Sequence, residues 1–156
     1  MINVLFVCMG NICRSPMAEA VFKHLVEEAD LSDQFHIDSV GTISYHVGES
    51  THPGTQRVLA VHGIRSHSIS RQVTSTDLAE ADYVIAMDRD NLHDLKTMAR
   101  RTSLNGRLHL LLEFAATPST LDVPDPYYNG SFEKVYQLVE SGCQGLLAHI
   151  RAEQKI

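Results

Sequence analysis

Cys8, Arg14 and Ser15 are the residues of this chain whose types and spacing most clearly could do chemistry. Cys8 ends an apolar run, and Arg14 follows it by six positions in "CMGNICRS". A turn from strand into helix can point successive backbone N–H groups at one centre, with the positive end of the helix beneath. Gly10 helps such a backbone bend, and Asn11 tolerates left-handed conformations. The stretch Met9, Gly10, Asn11, Ile12, Cys13, Arg14 and Ser15 is therefore expected to cradle an oxyanion, with Cys8 at its centre. The planar fork of Arg14 suits bidentate contact with phosphate oxygens. A free cysteine has a pKa of about 8.5, which helix N-termini and cationic neighbours lower to roughly 3.5–7.5. Ser15 can add a hydrogen bond to the sulfur. The expected unit holds a nucleophile and a phosphate in one ring.

Competing readings of these residues are weaker. A lone cysteine is most often a small, buried, inert residue. The spacing to Arg14, the following Ser-Pro and the strand–loop–helix context favour the nucleophile. The lysine and glycine pattern of a nucleotide-binding P-loop is absent. A structural zinc wants four ligands, and Cys8 and Cys13 have no second cysteine pair, while the nine histidines are scattered. No metal and no cofactor is expected.

The elements that must position the loop alternate strand and helix. Asn3 to Val7 is read as a buried strand, Ser15 as an N-cap and Pro16 as the first helical residue of a helix reaching about Ala29. "FHIDSVG" reads as a second strand. Pro53 starts a helix carrying Val58, Leu59 and Val61, and Ser75 or Thr76 caps a short turn through Ala81. "DYVIAMD" is the clearest buried strand, "NLHDLKTMARR" an amphipathic helix and "RLHLLLEF" a fourth strand. A connection with three prolines, "AATPSTLDVPDPYYNG", leads to a last helix capped by Ser131. Such alternation predicts a three-layer α/β fold with a parallel sheet flanked by helices. Ligands in these folds sit beyond the carboxyl ends of the strands, so Cys8, Asp88 and the proline-rich connection should share one edge.

Composition sets the outer limits. The 156 residues suit one domain spanning 1–156, with 44% hydrophobic and 21% charged residues. No apolar run reaches the roughly 18 residues of a membrane span, so no membrane partner is expected. The formal net charge of −6 argues against a nucleic-acid partner, which requires a basic footprint. "MINVLFVCMGN" lacks a basic leader and reads as strand rather than signal peptide. Three cysteines and no leader favour a reducing, cytoplasmic setting. The oligomeric state is not legible.

The loop "CMGNICRS" after a first strand, followed in order by "DSVGT", "HSISRQV", "DYVIAMD" and "DPYY", resembles the low-molecular-weight protein tyrosine phosphatases over essentially the whole chain. The resemblance implies a flavodoxin-like or Rossmann-like phosphatase fold with a central four-stranded sheet in the order 2-1-3-4. It implies hydrolysis of phosphotyrosine in proteins, and of small aryl phosphates, through a phosphocysteine intermediate and without a metal. Asp125, the aspartate of "DPYY", would protonate the leaving phenolate and then serve as base for the attacking water. Glu113 and Asp122 are its nearby rivals, and an aspartate before proline is also common in turns. Asn11, Ser15, Ser39 and His67 would support the loop. Ile12, Tyr45, Tyr127 and Tyr128 would wall a slot for an aromatic ring, although the family often has tryptophan where Tyr45 stands. Cys13 would form a reversible disulfide with Cys8 under peroxide. Tyrosine-phosphorylated proteins and free phosphate are the implied partners. An arsenate reductase of the same fold would need further redox cysteines, and only the distant Cys143 remains. A protein arginine phosphatase favours threonine where Ile12 stands and lacks the paired tyrosines. A phosphotyrosine-binding module without turnover would not need Cys8, Arg14 and Asp125 together.

Overall fold

A computed structural model describes residues 1–99, 104 and 107–156. The elements are β1 (Ile2–Cys8), α1 (Arg14–Glu28), β2 (Phe35–Gly41), α2 (Pro53–Val61), α3 (Ser75–Glu80), β3 (Tyr83–Ala86), α4 (Arg89–Met98), β4 (Leu108–Leu110), α5 (Pro126–Asn129) and α6 (Phe132–Gln154). The four strands form one parallel sheet in the order β2-β1-β3-β4, as expected.

The central strand explains the layering. Successive side chains of β1 point to opposite faces. Val4, Phe6 and Cys8 join a core with α1, α2 and α6, while Leu5 and Val7 join Val40, Val84, Ala86, Leu95 and Leu110 under α3 and α4. Both faces are covered, so β1 reads as a continuous apolar run rather than an alternating one. Phe6, Phe22 and Phe35 pack edge to face in the larger core, with centroids 5.6 and 5.7 Å apart. Because all strands run the same way, Cys8, Gly41, Ala86 and Leu110 end on one edge. No helix among the described residues is long and apolar enough to cross a membrane.

Several boundaries differ from the sequence reading, each for a local reason. Helix α1 starts at Arg14, with Pro16 as its third residue, and no side chain caps it. Ser15 is turned inward, to Cys8 and Asn11. Thr74, not Ser75 or Thr76, caps α3, in a reciprocal box with Asp77. Val61 is exposed at the end of α2. The fourth strand stops at Leu110, and Leu111–Phe114 coils into a 3-10 turn against α6. There a Cβ on Gly145 would lie 1.7 Å from the Phe114 carbonyl oxygen, so only glycine lets the turn dock. Helix α4 ends at Met98, and the last arginines of the expected helix, Arg100 and Arg101, lie outside the described residues. Ser131 precedes α6 without capping it by its side chain. The proline-rich connection also contains the short helix α5, capped by Asp125.

Candidate active site

The loop between β1 and α1 is held from both sides. Asn11 takes a left-handed conformation (φ 56°) and is almost completely buried. Its backbone N–H donates to Cys8 Sγ at 3.2 Å. Its side-chain amide donates to Ser15 Oγ (2.8 Å) and Ser39 Oγ (3.0 Å), and its Oδ1 accepts from the Arg71 N–H (3.0 Å). Ser15 Oγ in turn lies 3.0 Å from Cys8 Sγ. Outside the ring, Ile43 N–H, Ser70 Oγ, His52 N–H and Thr55 Oγ1 bond the carbonyls of Met9, Gly10, Ile12 and Cys13 respectively. With those carbonyls bonded outward, the loop keeps its N–H groups for the inside. Gly41 lets β2 approach this closely, because a Cβ there would meet the Met9 carbonyl oxygen at 2.7 Å.

Ser39 belongs to this network as expected, but His67 does not. The segment from Ser66 to Ser70 is extended, so alternate residues face opposite ways. Ser66 and Ser70 are buried and Ser68 half-buried, whereas Arg65, His67 and Ile69 are exposed. Ser68 Oγ therefore reaches the Glu19 carboxylate at 2.8 Å and lies 3.3 Å from Ser39 Oγ. Glu19 is the residue the sequence reading missed. It is 7% exposed and accepts from Ser39 Oγ (2.5 Å), Ser68 Oγ and Lys23 Nζ (2.6 Å). A carboxylate inside the apolar run "MAEAVF" was its only sequence signal.

Arg71 supports the loop from outside. Its backbone N–H holds Asn11, and its side chain is clamped by Asp77 (2.9 Å) and Asp38 (2.7 Å). The hydrogen bonds it donates to Asp77, with those to Asp38, push its pKa up against the opposing effect of burial. Burial also opposes ionisation of Asp77, but Arg71 and Thr74 outweigh it and hold the carboxyl below the usual range.

Arg14 is 3% exposed and points into the ring. Its Nη1 donates to Asp88 Oδ2 at 2.6 Å and to the Val123 carbonyl at 3.0 Å. Its Nη2 lies 3.5 Å from Asp125 Oδ2. Burial disfavours its charge, but Cys8, Asp88 and Asp125 outweigh that penalty and raise its pKa. Asp88 has two tasks, since its Oδ1 caps α4 by accepting from Asn91 N–H at 2.7 Å. The position of Asp88 on the same edge as Cys8 is legible in the sequence, whereas its direct bond to Arg14 shows only in the structure. Asp125 likewise spends one oxygen on a cap, accepting from Tyr127 N–H at 3.0 Å, which leaves the other turned toward Arg14.

These groups meet around one pocket of about 350 Å³, open mouth included, lined by Cys8, Met9, Gly10, Ile12, Cys13, Arg14, His46, Asp125, Tyr127 and Tyr128. Tyr45 is not a wall: it stands 81% exposed, and its neighbour His46 takes the place, its ring seated over Gly10. A Glu49 carboxylate oxygen 2.8 Å from His46 Nδ1 fixes that ring. Glu113 is drawn to the backbone N–H of Leu110, and Asp122 to Arg89, so neither rival of Asp125 reaches the pocket. Cys8, Cys13 and Cys143 are all buried, free thiols. Burial, with Asp125 and Cys8 nearby, pushes Cys13 up to about 12.

A cysteine at the end of a parallel strand, ringed by amides and an arginine, defines a cysteine-dependent phosphatase. The family model "Low molecular weight phosphotyrosine protein phosphatase" matches residues 3–156. Among curated proteins, the chain is 45% identical to the low molecular weight protein-tyrosine-phosphatase YfkJ of Bacillus subtilis, covering 100% of both chains. It is 42% identical to PtpA of Staphylococcus aureus, another low molecular weight protein-tyrosine-phosphatase, over 96% of this chain and 94% of that one. The crystal structure of YfkJ superposes with a TM-score of 0.94, covering 98% of this chain and 96% of that one. The crystal structure of DARP, a Drosophila arginine phosphatase, superposes with a TM-score of 0.88 at 35% identity, covering 95% of this chain and 97% of that one. The chain belongs to the low molecular weight phosphotyrosine protein phosphatase family.

Proposed function

We propose that the protein hydrolyses phosphotyrosine in proteins, with Cys8 as nucleophile, Arg14 as phosphate clamp and Asp125 as general acid and base. The observation that carries this reading is the convergence of these three side chains on one small pocket whose mouth is walled by Tyr127 and Tyr128. Phosphate enters the ring and accepts hydrogen bonds from the loop amides. Both hydrogens of Arg14 Nη1 are committed to Asp88 and Val123, so the Nε and Nη2 edge meets the phosphate oxygens. The Cys8 thiolate attacks phosphorus in line as the bond to the phenolic oxygen breaks. Asp125 gives its proton to the departing phenolate. Water then attacks the phosphocysteine, Asp125 takes a proton from it, and the P–S bond breaks to return the thiolate and free phosphate. The amides and Arg14 meet charge as it develops on the equatorial oxygens, which requires no rearrangement of a loop already held at the carbonyls of Met9, Gly10, Ile12 and Cys13.

Ile12 and the paired tyrosines support an aryl phosphate over a phosphoarginine, the substrate class named for the Drosophila relative. Hydrolysis of phosphotyrosine, phosphoserine and phosphoarginine peptides in chelator, with Cys8→Ser as control, tests the assignment. Preference for phosphotyrosine is expected. Preference for phosphoarginine would reverse the substrate class, and binding without turnover would reduce the protein to a recognition module.

A further inference from the structure

We infer that Arg89 is a positioning residue for proton transfer: by holding Asp122, it fixes the chain that presents Asp125 to the leaving group. The inference rests on the reading of Asp125 as general acid given above. Arg89 is the first residue of α4, next to the cap Asp88. Its backbone N–H has no partner within the helix, as at any helix N-terminus, and donates to Asp122 Oδ1 at 2.9 Å. Its side chain turns to the same carboxylate. Nε lies 3.2 Å from both oxygens, and Nη2 donates to Oδ2 at 2.8 Å. Among the described residues, Arg89 supplies every hydrogen bond that the Asp122 carboxylate accepts. Those bonds hold the carboxyl below its usual range, against the effect of burial. An exposed ion pair usually contributes little. A grip on both oxygens, reinforced from the backbone, fixes direction as well as proximity.

The gripped residue lies three positions before Asp125. From Ala116 to Leu121, the only hydrogen bond among the described residues is a local one, from the Asp122 N–H to Thr120 Oγ1 at 3.1 Å. The connection is then tied to the body of the protein at Asp122 and at Val123. Val123 is fully buried, with its N–H on the Met87 carbonyl (2.9 Å) and its own carbonyl on Arg14 (3.0 Å). Val123 alone would be a pivot; Asp122 adds a second anchor beside it. Pro124 restricts the next φ, and Asp125 follows, 3.5 Å from Arg14 Nη2. Neighbouring residues of α4 thus serve the two halves of the site, Asp88 orienting Arg14 and Arg89 orienting the acid. Arg89 does not line the pocket, so it acts through Asp122. A proton passes only across hydrogen-bond distance, and a small displacement of the donor lowers the rate.

The cost of a displaced acid depends on the leaving group. The ratio kcat/KM reports formation of the phosphocysteine, in which a phenolate needs a proton and p-nitrophenolate does not. Arg89→Gln is expected to lower kcat/KM for phenyl phosphate and for a phosphotyrosyl peptide about three- to tenfold. It should change the value for p-nitrophenyl phosphate by less than about twofold and leave the melting temperature nearly unchanged. Asp122→Asn should do the same, and the double variant should lose no more than either alone, because the two residues act as a unit. Equal losses on both aryl phosphates, no loss on either, or losses that multiply in the double variant would overturn the inference. Asp125→Ala, measured beside them, separates the two levels. A loss falling selectively on phenyl phosphate keeps the general-acid reading, whatever the Arg89 variants do. A loss falling equally on both substrates removes that reading, and the positioning role with it.

Discussion

The two halves of the site are built differently. The loop of residues 8–15 is buried apart from Met9 and Gly10, and it is tied from outside by Ser39, Ser70, Arg71, His52 and Thr55. The opposite half, the connection carrying Asp125 and the tyrosines, is mostly exposed. It is pinned at a few points: Asp122 on Arg89, the Val123 carbonyl on Arg14, the Val123 N–H on Met87 and the Asp125 cap of α5. The contrast has a chemical sense. Oxyanion stabilisation gains from donors that need not move, whereas a surface that admits protein segments needs accessible side chains and tolerates change.

Breaking the rigid half at its centre should have the largest effect. Cys8→Ser is expected to lower turnover by at least about 10⁴-fold while keeping affinity for phosphotyrosyl peptide, read by calorimetry. Asp125→Ala should cost about 10²–10³-fold on phosphotyrosine and much less on p-nitrophenyl phosphate, whose leaving group needs no proton. An equal loss on both substrates would mean that Asp125 acts by position rather than by proton transfer. Glu19→Ala leaves Ser39 and Ser68 without their acceptor in a buried site. We expect a loss of about 1–3 kcal/mol in chemical denaturation, with kcat falling more than KM rises. On the accessible half, Tyr128→Ala should alter KM for peptides by only a few-fold and leave the melting temperature nearly unchanged.

The smallest effect probes the ring itself. Because Cys13 is pushed up to about 12, it stays a neutral thiol through the physiological range and begins to ionise only as pH approaches that value. A limiting alkylating agent at pH 7 should therefore modify Cys8 ahead of Cys13, as peptide mass spectrometry can show. Peroxide should still join the two sulfurs, and Cys13→Ser should lose activity irreversibly faster than the unaltered protein. The same rate of irreversible loss in both would remove the protective role.

Much of this was legible in residue order, because it depends on local backbone chemistry. Strand, loop and helix around Cys8 follow from an apolar run, Gly10, Asn11 and Pro16. The sheet order and the family resemblance follow from motifs in sequence. What failed depended on which way side chains face. His67 and Ser68 differ by one position on an extended segment, and only packing against Glu19 shows which points inward. Tyr45 and His46 differ likewise, and the seat over Gly10 chose the histidine. The fourth strand was cut short by Gly142 and Gly145, distant in sequence, which let a turn settle on α6.

The sequence by itself determined that Cys8 ends a strand, that Arg14 follows it by six residues across a loop and that the sheet is parallel, since residue type and spacing carry those. Tertiary structure alone decided that Glu19 anchors the loop network and that Asp88 orients Arg14. Those are relations between chain segments tens of residues apart, and they exist only once burial has forced each polar group to find a partner.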